Sequence, residues 1–231
     1  MKPRVVVGPK RAPAEVTQIL GECGVATVHE AMGRSGLLGD RLRPLWPGAR
    51  AAGTAVTVLC APGDNLMIHV AIEQTAPGDL LVITTTSPSR DGFVGELLVT
   101  SMVAHGVRGV VTTTGVRDTA EIRKMEFPIW CRSINAQGTV KVTAGAVNEP
   151  ISIGGTLIRP GDVVVADDDG IVCVPRLQAE AVAAAARQRE EKEVGAREAL
   201  RSGELGLDLY GMRLLLERSG VTYIPAEDAE D

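Results

Sequence analysis

Aromatic residues are almost missing from this chain, which has two Trp, two Tyr and two Phe among 231 residues. Its interior must therefore be aliphatic, within an overall mix of 45% hydrophobic and 23% charged residues that is ordinary for a globular protein. Long apolar runs are missing too. No window approaches the roughly 20 residues of a membrane span, and the opening MKPRVVVGPKRAP has no signal-peptide core. No membrane partner is expected, and the cytoplasm is the expected compartment. The four cysteines, Cys23, Cys60, Cys131 and Cys173, are widely spaced without a C-x-x-C pair. They read as reduced thiols, three of them in or beside apolar runs. Positive charge is not in excess: the net charge of −5 argues against nucleic acid as the main partner, since phosphate binding needs a basic face. A small anion remains admissible. The three histidines, His29, His69 and His105, show no zinc spacing, and neither a G-x-S-x-G elbow nor a P-loop is present.

What is present is punctuation and β-branched sequence. The 26 Gly and 13 Pro imply many tight turns. Residues 13–23 have helical spacing, and a second short helix follows with Thr27 as its N-cap. Residues 41–50 read as a loop and 54–60 as a strand. A helix capped by Asp64 runs to Gln74. Residues 80–85 form a strand, a helix starts near Gly95 and ends at Gly106, residues 107–113 form a strand, and 118–124 a short helix. This is the βαβ pattern of a parallel sheet, so the fold class is α/β. Short strands are expected beyond it at 128–131, 139–143, 151–153, 156–158, 163–166 and 171–174. The triplet Pro-Gly-Asp occurs at 62–64, 77–79 and 160–162, a turn device repeated at irregular intervals. From Pro175 a helix of about 25 residues follows, weakened at Gly195, then a frayed acidic tail. The chain thus divides into an α/β domain, 1–175, and a helical extension, 176–231.

In an open parallel sheet, ligands bind beyond the carboxyl ends of the strands. Two such ends lead into Gly95-Glu96-Leu97-Leu98 and Gly115-Val116-Arg117-Asp118. If the strands are neighbours, the loops converge. A helix N-terminus offers unpaired N–H groups to a carboxylate. Arg117 adds a planar cation, and Asp118 a hard oxygen ligand for Mg²⁺ or Mn²⁺. Together they suit a 2-oxo acid. Taken alone, an Arg-Asp pair after glycine is more often a solvated turn. Asp167-Asp168-Asp169-Gly170 reads as a hairpin turn rather than a metal site. His105 reads as a helix cap, and Lys141 as a residue on a solvated strand face.

These residues, with Thr100-Ser101, His105 to Val111, Gly154-Gly155 and Asp169-Gly170, resemble the 4-hydroxy-4-methyl-2-oxoglutarate / 4-carboxy-4-hydroxy-2-oxoadipate aldolase family, which includes the regulator of ribonuclease activity A. The similarity spans about Val25 to Val174. It implies a swivelling β/β/α-type sandwich assembled as trimers or hexamers with active sites at subunit interfaces. It also implies a class II pyruvate aldolase of aromatic-compound degradation, with Mg²⁺ or Mn²⁺ as cofactor and oxaloacetate decarboxylation as a side activity. By the same resemblance Asp118 ligates the metal, Arg117 contacts the keto or enolate oxygen, and Glu96 orders a metal-bound water and assists proton transfer. The amides of Leu97 and Leu98, after Gly95, hold the pyruvyl carboxylate. Asn65 and Lys141 face the distal carboxylates, and Glu193 of a neighbouring subunit reaches the metal's outer shell. Thr113-Thr114 depart from the family, which often has Asp or Gly there. The alternative from another class is a non-catalytic protein that docks on a ribonuclease or helicase. The helical extension, which resembles the aldolase branch, argues against it.

Overall fold

A computed structural model describes residues 2–39 and 41–226. In chain order the elements are β1 (Arg4–Val5), α1 (Ala14–Ala31), β2 (Arg43–Pro44), β3 (Ala51–Cys60), α2 (Leu66–Glu73), β4 (Asp79–Thr85) and β5 (Gly92–Val94). Then come α3 (Glu96–Ala104), β6 (Gly109–Thr112), β7 (Gly115–Val116), α4 (Thr119–Lys124), β8 (Ile129–Cys131), β9 (Ser133–Ile134) and β10 (Ala146–Val147). β11 (Ile151–Ile153), β12 (Thr156–Ile158), β13 (Val163–Asp167), β14 (Gly170–Val174), α5 (Ala179–Arg201), α6 (Gly206–Leu209) and α7 (Arg213–Arg218) complete the list.

The main sheet runs β1-β10-β3-β4-β6-β8-β2, with β13 on β3 and β14 on β13. Its centre, β3-β4-β6-β8, is parallel, as the alternation of strands and helices dictates. β3 is long enough to take two antiparallel partners along one edge, β13 at Ala51–Thr54 and β10 at Val58–Leu59. Side chains alternate across each strand. Val56, Val58, Leu81, Ile83 and Val110 pack on α2, α3 and α4 through Ile68, Val99, Met102 and Ile122. Ala55, Leu80, Val82 and Val111 face the other way, toward Trp130 and the β11-β12 hairpin residues Ile151, Ile153 and Ile158.

The chain divides into two compact units, Met1–Arg187 and Gln188–Asp231. The first includes the opening turns of α5, whose Ala179, Val182, Ala183 and Ala186 join Leu20, Val28, Val163 and Val172 in a third apolar cluster. In the second unit Leu214 and Leu215 of α7, and Tyr223 beyond it, are largely exposed. α5 passes through Gly195 without interruption, because a single glycine costs only about 1 kcal/mol relative to alanine in a helix of this length. Residues 227–231, most of the acidic tail, lie outside the described residues. Among the described residues no helix is long and apolar enough to cross a membrane. All four cysteines are buried. Burial pushes the thiols of Cys60 and Cys131 up, to about 12 and about 11, and raises that of Cys173 as well.

Two local expectations are corrected. The first helix is one run with a break at Gly24 (φ 78°, ψ 170°). Its second half is capped not by Thr27 but by a distant carboxylate, Asp167 Oδ2, which accepts the Val25 N–H at 2.8 Å. Residues 139–143 do not form a strand. The N–H groups of Val142 and Thr143 donate to Asp64 Oδ2 (2.9 and 2.6 Å) instead of to a neighbouring ladder, leaving one bridge, Asp64 to Val140. The hairpin reading of residues 167–170 agrees with the register, in which Asp167 pairs with Gly170.

The three Pro-Gly-Asp turns share one function. Asp64, Asp79 and Asp162 are all buried, and each carboxylate accepts at least one backbone N–H. Asp79 Oδ2 takes the N–H of Ala76 at 2.7 Å, and its carboxylate is gripped by the Arg11 guanidinium at 2.7 to 3.1 Å. Asp162 takes the N–H groups of Arg159 and Arg176 at 2.8 and 2.9 Å. Buried carboxylates are tolerated because their oxygens are satisfied in this way.

Candidate active site

The site is built at the carboxyl ends of β4 and β6. There a second, small parallel sheet, β5-β7-β9, stands beyond the main one. Its register pairs Gly92 with Gly115 and Val94 with Val116, then Gly115 with Ser133 and Val116 with Ile134. The ladder continues into the site: Arg117 N–H donates to Val94 O at 2.9 Å, and Asn135 N–H to Val116 O at 3.0 Å. β5 leads into α3 and β7 into α4, so the starts of both helices emerge side by side.

The two loops meet through Asp118. This residue adopts the left-handed conformation (φ 56°, ψ 35°) at the start of α4, yet its side chain does not cap that helix. Oδ2 instead accepts the Glu96 N–H of α3 at 3.1 Å and lies 3.6 Å from Arg117 Nε. A left-handed non-glycine residue costs roughly 1 kcal/mol. Here that conformation aims a carboxylate at the positive end of a neighbouring helix. Both side chains are about half exposed. α3 makes its first intrahelical bond from Val99 to Gly95 O, so the amides of Leu97 and Leu98 have no partner within the helix.

Close approach depends on missing side chains. A Cβ placed on Gly95 would sit 2.5 Å from Asp118 Oδ2 and 3.0 Å from Arg117 Nε. One on Gly92 would meet Asn135 O at 2.4 Å, and one on Gly115 would meet Arg90 O at 2.3 Å. The sequence reading missed the segment from Asn135 to Gly138. Gln137 O accepts the Gly92 N–H at 2.7 Å, and a Cβ on Gly138 would touch Arg117 Nη1 at 3.0 Å. Gly138 is the only signal in that stretch, and one glycine in a loop points nowhere by itself.

The other expected residues are arranged as follows. Glu96 lies at the helix start with Oε1 accepting from Thr100 Oγ1 at 2.8 Å. Leu97 points outward while Leu98 is buried. Asn65 is adjacent to the site but buried. Its Nδ2 donates to Phe93 O of β5 at 2.9 Å, and its Oδ1 has no hydrogen-bond partner among the described residues. Lys141 is exposed, one residue beyond Val140, whose carbonyl accepts the Asn65 N–H at 3.0 Å. His69 is held below its ordinary pKa, first by desolvation and then by the nearby Lys141 charge. His105 caps α3 through Nδ1 on Ser101 O at 2.7 Å. Thr113 and Thr114 face inward: Thr113 Oγ1 bonds Thr84 Oγ1 at 3.0 Å and Thr114 Oγ1 bonds Thr112 Oγ1 at 2.6 Å. Glu193 belongs to the second unit, where it pairs along its own helix with Arg189 (3.0 Å) and Arg197 (3.6 Å).

Among the described residues, no group of three or more His, Cys, Asp and Glu side chains is arranged to hold a metal. The donor set at the site is a single half-exposed carboxylate with one oxygen, Oδ1, outside the Glu96 and Arg117 contacts. That fits Mg²⁺ or Mn²⁺, which retain several waters and commonly take one or two protein carboxylates.

A parallel α/β core thus sets a guanidinium and a carboxylate against a helix N-terminus. Residues 25–173 match the family model described as RraA-like: Aldolase/RraA, and the chain belongs to that family. A Halalkalibacterium halodurans protein named "Putative 4-hydroxy-4-methyl-2-oxoglutarate aldolase" is 31% identical over 75% of this chain and 82% of its own length. A Burkholderia multivorans protein of the same name is 33% identical over 62% of this chain and 86% of its own. Among solved structures, Streptomyces coelicolor RraAS2, described as an unusual member of the RNase ES inhibitor RraA family, superposes with a TM-score of 0.74 at 29% identity. It covers 82% of this chain and 99% of that one.

Proposed function

We propose that this protein is a divalent-metal-dependent aldolase that releases pyruvate from 4-carboxy-4-hydroxy-2-oxoadipate and 4-hydroxy-4-methyl-2-oxoglutarate. The observation that carries the reading is the meeting of Asp118 Oδ2 with the Glu96 amide, 3.6 Å from the Arg117 guanidinium. The names of the two curated relatives support the reaction class.

In this reading the amides of Leu97 and Leu98 receive the substrate's C1 carboxylate, and Arg117 donates to the C2 keto oxygen. Asp118 would hold the metal, which when bound supplies Lewis-acid polarisation of the 2-oxo acid. The C4 hydroxyl gives its proton to solvent water, and C4 becomes the carbonyl carbon of the second product as the C3–C4 bond breaks. The bonding pair moves to the C2 oxygen as pyruvate enolate, where the Arg117 charge stabilises it. C3 then takes up one proton. Glu96, the carboxylate at the start of α3, would carry that proton once its bond to Thr100 is broken. Oxaloacetate decarboxylation passes through the same enolate and is expected as a side reaction. Asn65 and Lys141 serve the distal carboxylates. Assembly into a homo-oligomer, with Glu193 supplied by a neighbour, completes the site.

The test is a coupled pyruvate-release assay with and without a chelator, in wild type, Asp118→Ala and Arg117→Ala. Metal-dependent turnover that falls at least 10²-fold in each variant, with unchanged melting, supports the reading. Full activity after complete metal removal eliminates it. Tight ribonuclease binding with no turnover of either aldol would favour the regulatory alternative.

A further inference from the structure

Lys141 sits in a segment with almost no secondary structure of its own, flanked by exposed Val140 and Val142. What holds that segment comes from one short stretch on the opposite side. Gly63 O accepts the Val140 N–H at 2.9 Å, and Val140 O accepts the Asn65 N–H at 3.0 Å. Asp64 Oδ2 accepts the N–H groups of Val142 (2.9 Å) and Thr143 (2.6 Å), while Oδ1 accepts the Leu66 N–H (2.9 Å) at the start of α2. Asp64 is only 2% exposed. A carboxylate taking three amides is far stronger than a neutral cap, and its two oxygens bind different segments.

The same stretch also touches the catalytic strand. Asn65 Nδ2 holds Phe93 O, and a Cβ on Gly63 would lie 3.5 Å from Asp91 Oδ2. The geometry points to Asp64 as a positioning residue that fixes the Lys141 cation relative to the Arg117–Asp118 pair. It thereby sets the spacing of carboxylates that a substrate must have. This rests on the aldolase reading for its substrate, but not for its geometry.

Two measurements test it separately, on Asp64→Asn and Asp64→Ser. Serine keeps a cap for the Leu66 amide but is too short to reach Val142 and Thr143, so it separates local capping from loop positioning. The first measurement is tryptic cleavage of the Lys141–Val142 bond in the native full chain, followed by mass spectrometry. Cleavage there is expected to accelerate at least 10-fold in Asp64→Ser, with other sites unchanged. An unchanged rate overturns the proposal whether or not the protein is a lyase. The second is kinetic. KM for 4-carboxy-4-hydroxy-2-oxoadipate is expected to rise about 10-fold with kcat nearly constant, while oxaloacetate decarboxylation holds its wild-type kcat/KM. Combining Asp64→Ser with Lys141→Ala should cost no more than Lys141→Ala alone. Equal losses for both substrates, or additive losses in the double variant, would show a merely structural role and overturn it. Absence of any wild-type turnover would count against the aldolase reading and leave the cleavage result to decide this one.

Discussion

Gly95→Ala isolates the geometry of the site from its chemistry. The backbone at Gly95 is extended (φ −128°, ψ 178°), so alanine meets no conformational barrier and the effect is purely one of space. Its Cβ would be 2.5 Å from Asp118 Oδ2 and 3.0 Å from Arg117 Nε. An ordinary contact needs about 3.5 Å, so the carboxylate must retreat by about 1 Å and lose its bond to the Glu96 amide. A 1 Å misplacement in an active site costs on the order of 10²-fold, equivalent to about 2.7 kcal/mol of transition-state stabilisation. Stability should barely respond, because alanine for glycine at an N-cap costs about 0.5–1 kcal/mol, or about 1–4 °C in a chain of this size. The assay is pyruvate release alongside a thermal melt. Wild-type kcat/KM in a well-folded Gly95→Ala protein would refute the assignment of Asp118.

Arg11→Ala leaves the buried Asp79 carboxylate with the Ala76 amide but without its guanidinium. About 2–3 kcal/mol of stability should be lost, after allowing for partial solvent screening of Arg11, as read by urea denaturation; a loss under 0.5 kcal/mol would contradict the ion-pair argument. Burial tends to raise the pKa of Asp64, but the amides of Leu66, Val142 and Thr143 outweigh it and hold the group below its ordinary range. Its stabilisation is therefore complete above the unfolded value of about 3.9 and disappears as pH falls through the folded value. The stability gap between wild type and Asp64→Asn should accordingly be wide at pH 7 and shrink below about pH 4; a gap independent of pH would refute it. Native protein at pH 8 should leave all four thiols unreactive toward a disulfide reagent for minutes, and unfolded protein should titrate all four. Rapid native reaction of Cys60 or Cys131 would contradict their burial.

The parallel centre of the fold was legible because β3, β4 and β6 are β-branched runs separated by helices with apolar stripes. The convergence of Arg117 and Asp118 on α3 was legible for the same reason, since neighbouring parallel strands bring their following loops together. The β5-β7-β9 sheet was not, because strands of two or three residues carry no usable periodicity. Residues 139–143 alternate like a strand, yet their amides are claimed by a side chain 78 positions away. The cap on Val25 from Asp167 escaped for a related reason: a carboxylate in a hairpin turn gives no sign of which distant helix it serves.

The bare main chain at Gly92, Gly95 and Gly115 has a practical corollary for re-engineering. A floor made of peptide backbone cannot be edited residue by residue, because any added atom displaces the Asp118 carboxylate or a backbone carbonyl beside it. Leu97, Ile134, Val140 and Val142, by contrast, project outward at 58–81% exposure and can be exchanged without disturbing what lies beneath. Libraries that seek altered ligand selectivity should diversify those exposed positions and leave the glycines untouched.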